Sequence, residues 1–246
     1  MIRDVRTMIW KEWKEFLLQR GSSRRGRLFS VGIPIAIFGV FVPWQAGPDY
    51  VNNIGSLMVP ALMPLLFTMA IVSDSFAGER ERHTLETLLA SRLSDEAILF
   101  GKLAAAVLFA WGMLVFMMIL GLIGVNVAHS DGRLLLFPMN RVIAVLILDF
   151  LLAAFVSAAG VLVSLRAATV RQAMQTLNMG FMVLMFGSLF GFQALPETWR
   201  TTLLRRLSGE NSNQTLFVVA LILVLLDVAL LTSVHVRFRR ARLILD

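Results

Sequence analysis

Long apolar runs alternate with short polar connections along this chain, and the lengths of the runs predict its architecture. A helix crosses roughly 30 Å of hydrocarbon with about 20 mainly apolar residues. Six runs approach that requirement: Leu28–Trp44, Ser56–Ser73, Leu103–Val127, Val142–Leu165, Met174–Leu195 and Thr215–Val236. Pro34 and Pro43 interrupt the first and Pro60 and Pro64 the second. Both helices are therefore expected to kink, with the freed carbonyls satisfied by neighbouring helices or Ser/Thr hydroxyls. Short connections make sequential spans antiparallel neighbours.

Amphipathic stretches flank these runs. Ile2, Val5, Ile9, Trp13 and Phe16 recur every three or four residues opposite Arg3, Arg6, Lys11 and Lys14, the pattern of a helix lying on the membrane surface with Trp10 and Trp13 as interface anchors. Between the fifth and sixth runs, Pro196 suits a first helical turn, Trp199, Leu203, Leu204 and Leu207 share a face, and Gly209 can end the helix. The fold class expected is all-α integral membrane: six transmembrane helices, an N-terminal interfacial amphipathic helix and a short extracellular helix between spans five and six. A short cytoplasmic helix is expected between spans two and three.

Composition agrees with a lipid solvent. Hydrophobic residues form 57% of the 246 and charged residues 16%, with a mean hydropathy of +0.75, against roughly 45–50% and 25% in soluble domains. The net charge of +7 places basic residues beside the apolar runs, where anionic headgroups rather than nucleic acid are the expected partner. With the N-terminus inside, eighteen of the 23 Lys and Arg lie in the inner segments and five (Arg133, Arg141, Arg200, Arg205, Arg206) in the outer ones. Both termini are therefore expected in the cytoplasm, in a multi-pass protein of the plasma (inner) membrane. The first 27 residues are charged and lack a continuous apolar core, so no cleavable signal peptide is expected and the mature chain should start at Met1.

Zero cysteines exclude disulfides, Fe–S clusters and thiolate zinc sites. Phosphate-loop, HExxH and GxSxG motifs are absent, and His83, His129 and His235 are scattered. No catalytic residue, bound cofactor or metal is expected, and work driven by ATP would need another chain. Ionisable residues within spans normally have a partner or a wet cavity. Asp149 and Asp227 are thus candidate pathway or gating residues, or structural hydrogen-bonding groups. Arg141 lies two turns from Asp149, so a partner on a neighbouring helix is expected for that carboxyl. Gly180, Gly187 and Gly191 with Ser188 give span five a small-residue face suited to close helix packing, as at a dimer seam.

The stretch between spans two and three is the most informative. Glu79, Arg80, Glu81, Arg82, Thr84 and Glu86 form a charged patch, Leu85, Leu88 and Leu89 follow at helical spacing, and Ser94 is placed to cap a helix opening with Asp95 and Glu96. Its acids match or outnumber its bases, which charge asymmetry across the membrane does not explain. Read as E-R-E-R-x-T-L-E-x-L-L-x-S, then S-D-x-x-I and G-K, residues 79–102 resemble the signature of ABC-2 type transporter permeases. Residues 160–177, GVLVSLRAATVRQAMQTL, are similar to the same family's connection between spans four and five. The N-terminal helix with Lys11, Glu12 and Glu15 also fits, while Arg92-Leu93 stand where many relatives have a proline.

The resemblance implies a single transmembrane domain over 1–246: interface helix 1–27, first two spans 28–74, coupling region 75–98, four further spans 99–236 and a basic tail 237–246. It implies the permease subunit of an exporter, a homodimer or a pair with a related permease, served by two ATP-binding subunits that hold ATP-Mg. Glu79, Arg80, Glu81, Arg82, Thr84 and Glu86 would dock on those subunits and Leu85, Leu88 and Leu89 would pack. Two other classes stay open from the residues alone: an ion-coupled secondary transporter using Asp149 and Asp227, and a membrane anchor that recruits a cytoplasmic protein.

Overall fold

The computed structural model describes residues 2–19, 32–52, 54–129, 132–208 and 212–238. The predicted start of the first span at Leu28, the inner-face Arg20, Arg24, Arg25 and Arg27, Gly209 and the tail arginines 239, 240 and 242 lie outside the described residues. The described chain is helical: α1 (Ile2–Gln19), α2 (Ile33–Ala46), α3 (Asp49–Asn52), α4 (Ile54–Glu81), α5 (Leu85–Leu89), α6 (Asp95–His129), α7 (Met139–Ser164), α8 (Val170–Ala194), α9 (Glu197–Ser208) and α10 (Ser212–Arg237).

Five of these helices contain stretches long and apolar enough to cross a membrane: Pro60–Glu81, Asp95–His129, Met139–Ser164, Val170–Ala194 and Gln214–Arg237. The shorter α2 is apolar as well, and its middle turn, Ile37–Phe41, widens to a π-helix. Pro43 explains the widening, because its ring would collide with the Gly39 carbonyl of a regular helix. Gly47 ends α2 at φ 58°, where a side chain would be strained. By contrast α4 continues through both Pro60 and Pro64.

The ends of α4 and α6 nearest α1 extend beyond the predicted spans. At 35 residues, α6 is roughly 50 Å long, more than the hydrocarbon requires, and its N-terminal turns support α1. That helix packs on α6 through a face centred on Met8 and Glu12, both buried, while Ile2 and Trp10 are exposed. The predicted stripe is therefore rotated, and the helix rests on protein. Gly101 makes the approach possible, since a Cβ there would lie 2.6 Å from that of Met8.

The central packing unit is α4 against α6 and α7, with α10 packed on α7. One inner core gathers Met8, Leu85, Phe76, Ile98, Val161 and Val234 from six different helices. The membrane-length helices α8 and α10 leave most of their apolar side chains exposed, Met182, Phe190 and Leu225 among them, as lipid-facing or partner-facing helices do.

Candidate functional site

The segment joining α4 to α6 owes its shape to three local devices. First, α4 ends in a Schellman motif: Thr84 N–H donates to the Glu79 carbonyl at 2.9 Å and His83 N–H to that of Arg80 at 3.1 Å. The residue that takes the left-handed conformation is His83, at φ 55°. Next, the single turn α5 carries Leu85 into the inner core, with the half-buried Leu88 packed against it. Finally, Ser94 Oγ accepts from Ala97 N–H at 3.2 Å and caps α6.

A buried ionic cluster binds this segment to α1 and α6. The ammonium of Lys102, 2% exposed, donates to Glu12 Oε1 at 2.6 Å and to the Ser75 carbonyl at 2.7 Å. Glu79 Oε1 lies 3.6 Å from the same nitrogen, and the Phe76 ring centroid 5.3 Å from it. Glu79 is itself 3% exposed; it accepts from Lys11 Nζ at 2.6 Å and from the Thr84 hydroxyl. Burial pulls the Lys11 pKa down, but its bond to Glu79 and the fields of Glu79, Glu12 and Glu15 more than reverse this and hold it above its ordinary value. Carboxylate oxygens of Glu12, Glu15 and Glu79 come within 4.8 Å of one another, a spacing that a metal could use, but the ammonium groups of Lys11 and Lys102 already pair with them.

The same segment is tied to the connection between α7 and α8. Arg80 donates to the Ala167 carbonyl at 2.5 Å and the Leu165 carbonyl at 3.0 Å, filling the open acceptors at the C-terminus of α7. Glu81 Oε2 accepts from Val170 N–H at 3.1 Å, at the N-terminus of α8, where a negative charge is favoured. Deeper in, Ser164 Oγ accepts from the N–H groups of Phe76 and Ala77 and donates to the Ser73 carbonyl. One hydroxyl thereby joins α7 to α4 where α4 leaves the apolar region.

Of the residues singled out by sequence, Glu79, Arg80, Glu81, Arg82 and Thr84 make internal bonds, Arg82 to Asp74 at 3.0 Å. Glu86 is exposed, without a side-chain hydrogen bond or ion pair among the described residues, and the Leu89 side chain lies outside the described ones. Trp10 is 68% exposed, whereas Trp13 donates its indole N–H to the Ala105 carbonyl at 2.8 Å. The neighbouring-helix partner expected for Asp149 is not found among the described residues: the group is 1% exposed with both carboxyl oxygens unbonded. Asp227, 6% exposed, is in the same condition. Arg141 donates instead to the carbonyls of Val51 and Asn52.

Sequence reasoning missed the centre of the cluster, Lys102 with Glu12, and the hub Ser164. A lysine two turns into an apolar helix was the available signal, because such a charge needs a buried counter-ion. A bundle of membrane-length helices, with a charged segment bonded to three other parts of the chain, defines a multi-pass membrane protein that carries a braced element at one end.

Residues 3–204 match the ABC-2 type transporter family, and the chain belongs to it. It is 26% identical over 183 residues to the ABC transporter permease protein NatB of Bacillus subtilis (strain 168), a match covering 70% of this chain and 47% of that protein. The chain thus spans about half the length of this curated relative.

Proposed function

We propose that this chain is the permease subunit of an ATP-driven exporter, in which residues 75–98 form a cytoplasmic lever worked by separate ATP-binding subunits. Two permease copies, identical or related, would pair with two such subunits holding ATP-Mg. The five long helices and the broken α2 supply six crossings, with both termini in the cytoplasm of a plasma (inner) membrane protein. In this reading α1 lies at the inner surface, Trp10 reaches the headgroups and Trp13 locks the helix to α6, while α9 lies outside.

One observation carries the reading: the last turn of α4, which opens the 75–98 segment, is bonded to α1, to α6 and to the α7–α8 connection. A push on it is therefore delivered to all of these together, through Glu79 to α1 and α6 and through Arg80 and Glu81 to α7 and α8. The surface left for a partner is the outward side of α5, with Glu86 and its exposed neighbours His83 and Thr87. Glu79, Arg80 and Arg82 act here as braces of the lever. Such an element transmits force because it cannot yield locally.

A second reading, ion-coupled transport, is favoured by the two buried carboxyls of Asp149 and Asp227, which lack partners among the described residues. One experiment separates the two. An ATPase should copurify with the chain in mild detergent and be lost from Glu86→Lys, while the variant keeps its monodisperse profile. Transport by the purified chain alone, surviving ATP depletion and collapsing with an ion gradient, would select the second reading.

A further inference from the structure

We infer that the inner ends of α7, α8 and α10 form a binding site for the phosphate headgroup of an anionic phospholipid. A cavity of about 390 Å³ lies there, lined by Leu162, Arg166, Gln172, Thr176, Ser233 and Arg237 among others. Arg166 follows the last turn of α7 and Arg237 is the final residue of α10, so two guanidinium groups from separate helices border one space. Ser233 lies one turn before Arg237, and Gln172 and Thr176 are one turn apart on α8, which puts each pair on one helix face.

The charge balance identifies the ligand. Two other cavities of the chain contain cations, and in each of them acids share the walls: Glu12, Glu15 and Asp74 with Arg82 in one, Glu15 and Glu79 with Lys11 and Arg82 in the other. Among the described residues no acid lines the cavity of Arg166 and Arg237, and neither arginine has an ion pair. Its positive charge has no counter-ion among the described residues.

The donors bordering this space are the guanidinium groups of Arg166 and Arg237 and the side-chain amide of Gln172. Gln172 already uses its carbonyl oxygen to accept from Ala168 N–H, leaving its amide hydrogens available. The Thr176 and Ser233 hydroxyl hydrogens are directed to the carbonyls of Gln172 and Ala229. Guanidinium forks and an amide NH₂ match the acceptor oxygens of a phosphodiester.

A lipid source is favoured over a soluble anion because two of the walls are the most exposed apolar helices of the bundle. Within their membrane-length stretches only 6% of α8 and 11% of α10 is buried, so acyl chains can lie along them directly below the headgroup. Basic pockets between membrane helices at a bilayer surface take lipids of this kind. The inference is independent of any ATPase partner.

The test is native mass spectrometry of the full chain in detergent with added phosphatidylglycerol or phosphatidylcholine. The chain should retain phosphatidylglycerol with a preference of about thirtyfold, as two interfacial arginines imply. The double variant Arg166→Gln, Arg237→Gln should reduce the preference nearly to unity, whereas the charge-matched Arg133→Gln, Arg200→Gln should keep it. Should the first pair fail to fold, competition on the unaltered chain decides: millimolar inorganic phosphate should leave the bound lipid in place. Equal retention of both lipids by the unaltered chain, undiminished preference in the Arg166 and Arg237 variant, or displacement by inorganic phosphate would each overturn the site.

Discussion

Replacing Lys102 by Met removes the cation on which the inner assembly converges, and the structure shows what the loss leaves behind. Glu79 keeps Lys11 at 2.6 Å and the Thr84 hydroxyl, so its charge stays compensated. Glu12, with a side chain 9% exposed and 2.6 Å from the missing ammonium, becomes a stranded carboxylate, and the Ser75 carbonyl loses its donor. Breaking one side of a buried pair costs about 3–5 kcal/mol, most of it the penalty of the orphaned charge. At about 2–4 °C per kcal/mol for a chain of this size, the apparent melting temperature in detergent should fall by about 10 °C. Glu12→Gln combined with Lys102→Met removes the stranded charge and should recover at least half of that drop. The assay is melting followed by fluorescence-detected size exclusion, run on both single variants and the double. An unchanged melting temperature in Lys102→Met, or no recovery in the double variant, would show that the ion pair does not hold α1 to α6.

Other residues give independent expectations. His83→Gly relieves the left-handed strain at the end of α4 and should raise stability by roughly 1 kcal/mol, read from the same melts. Ser164→Ala strips three backbone groups of α4 of their shared hydroxyl and should lower stability by about 1–3 kcal/mol, with faster amide exchange at Phe76 and Ala77. Asp149→Leu should raise thermal stability by removing a buried unbonded carboxyl and reduce transport if that carboxyl serves the pathway; reduced stability would mean that the carboxyl has a partner. The stabilisation from Lys11, whose pKa is raised on folding, is complete below about pH 10.4 and is lost as pH rises through the folded value. The difference in melting temperature between the chain and Lys11→Met should therefore be constant from pH 6 to 9 and shrink only above that window.

Apolar run length located five of the six expected membrane helices, because crossing hydrocarbon is a one-dimensional requirement visible in sequence; the first run, Leu28–Trp44, corresponds to the shorter α2. Run length missed where α4 ends and α6 begins, since both continue past the apolar stretch into charged residues that tertiary bonds sustain. The cap at Ser94 was legible from local chemistry, whereas the Schellman turn at His83 was not, because its usual glycine is absent. The charged run 79–86 stood out as a patch, but its division was invisible: adjacent residues on α4 point to different neighbours, so Glu79 turns to α1 and α6 while Arg80 turns to α7. Similarly, the period of α1 was readable and its rotation was not. Met8 and Glu12 become the packed face only because Gly101 and Lys102 lie opposite them on another helix. A carboxylate at a core position cannot be recognised without knowledge of its counter-ion.

The chain contains no cysteine, so a single Glu86→Cys variant can report which side of the membrane α5 occupies without background. A membrane-impermeant maleimide applied to intact cells should leave that residue unlabelled, and permeabilisation should expose it to full labelling. Complete reaction in intact cells would put the braced segment on the outer face, beyond reach of any cytoplasmic ATPase, and would contradict the lever.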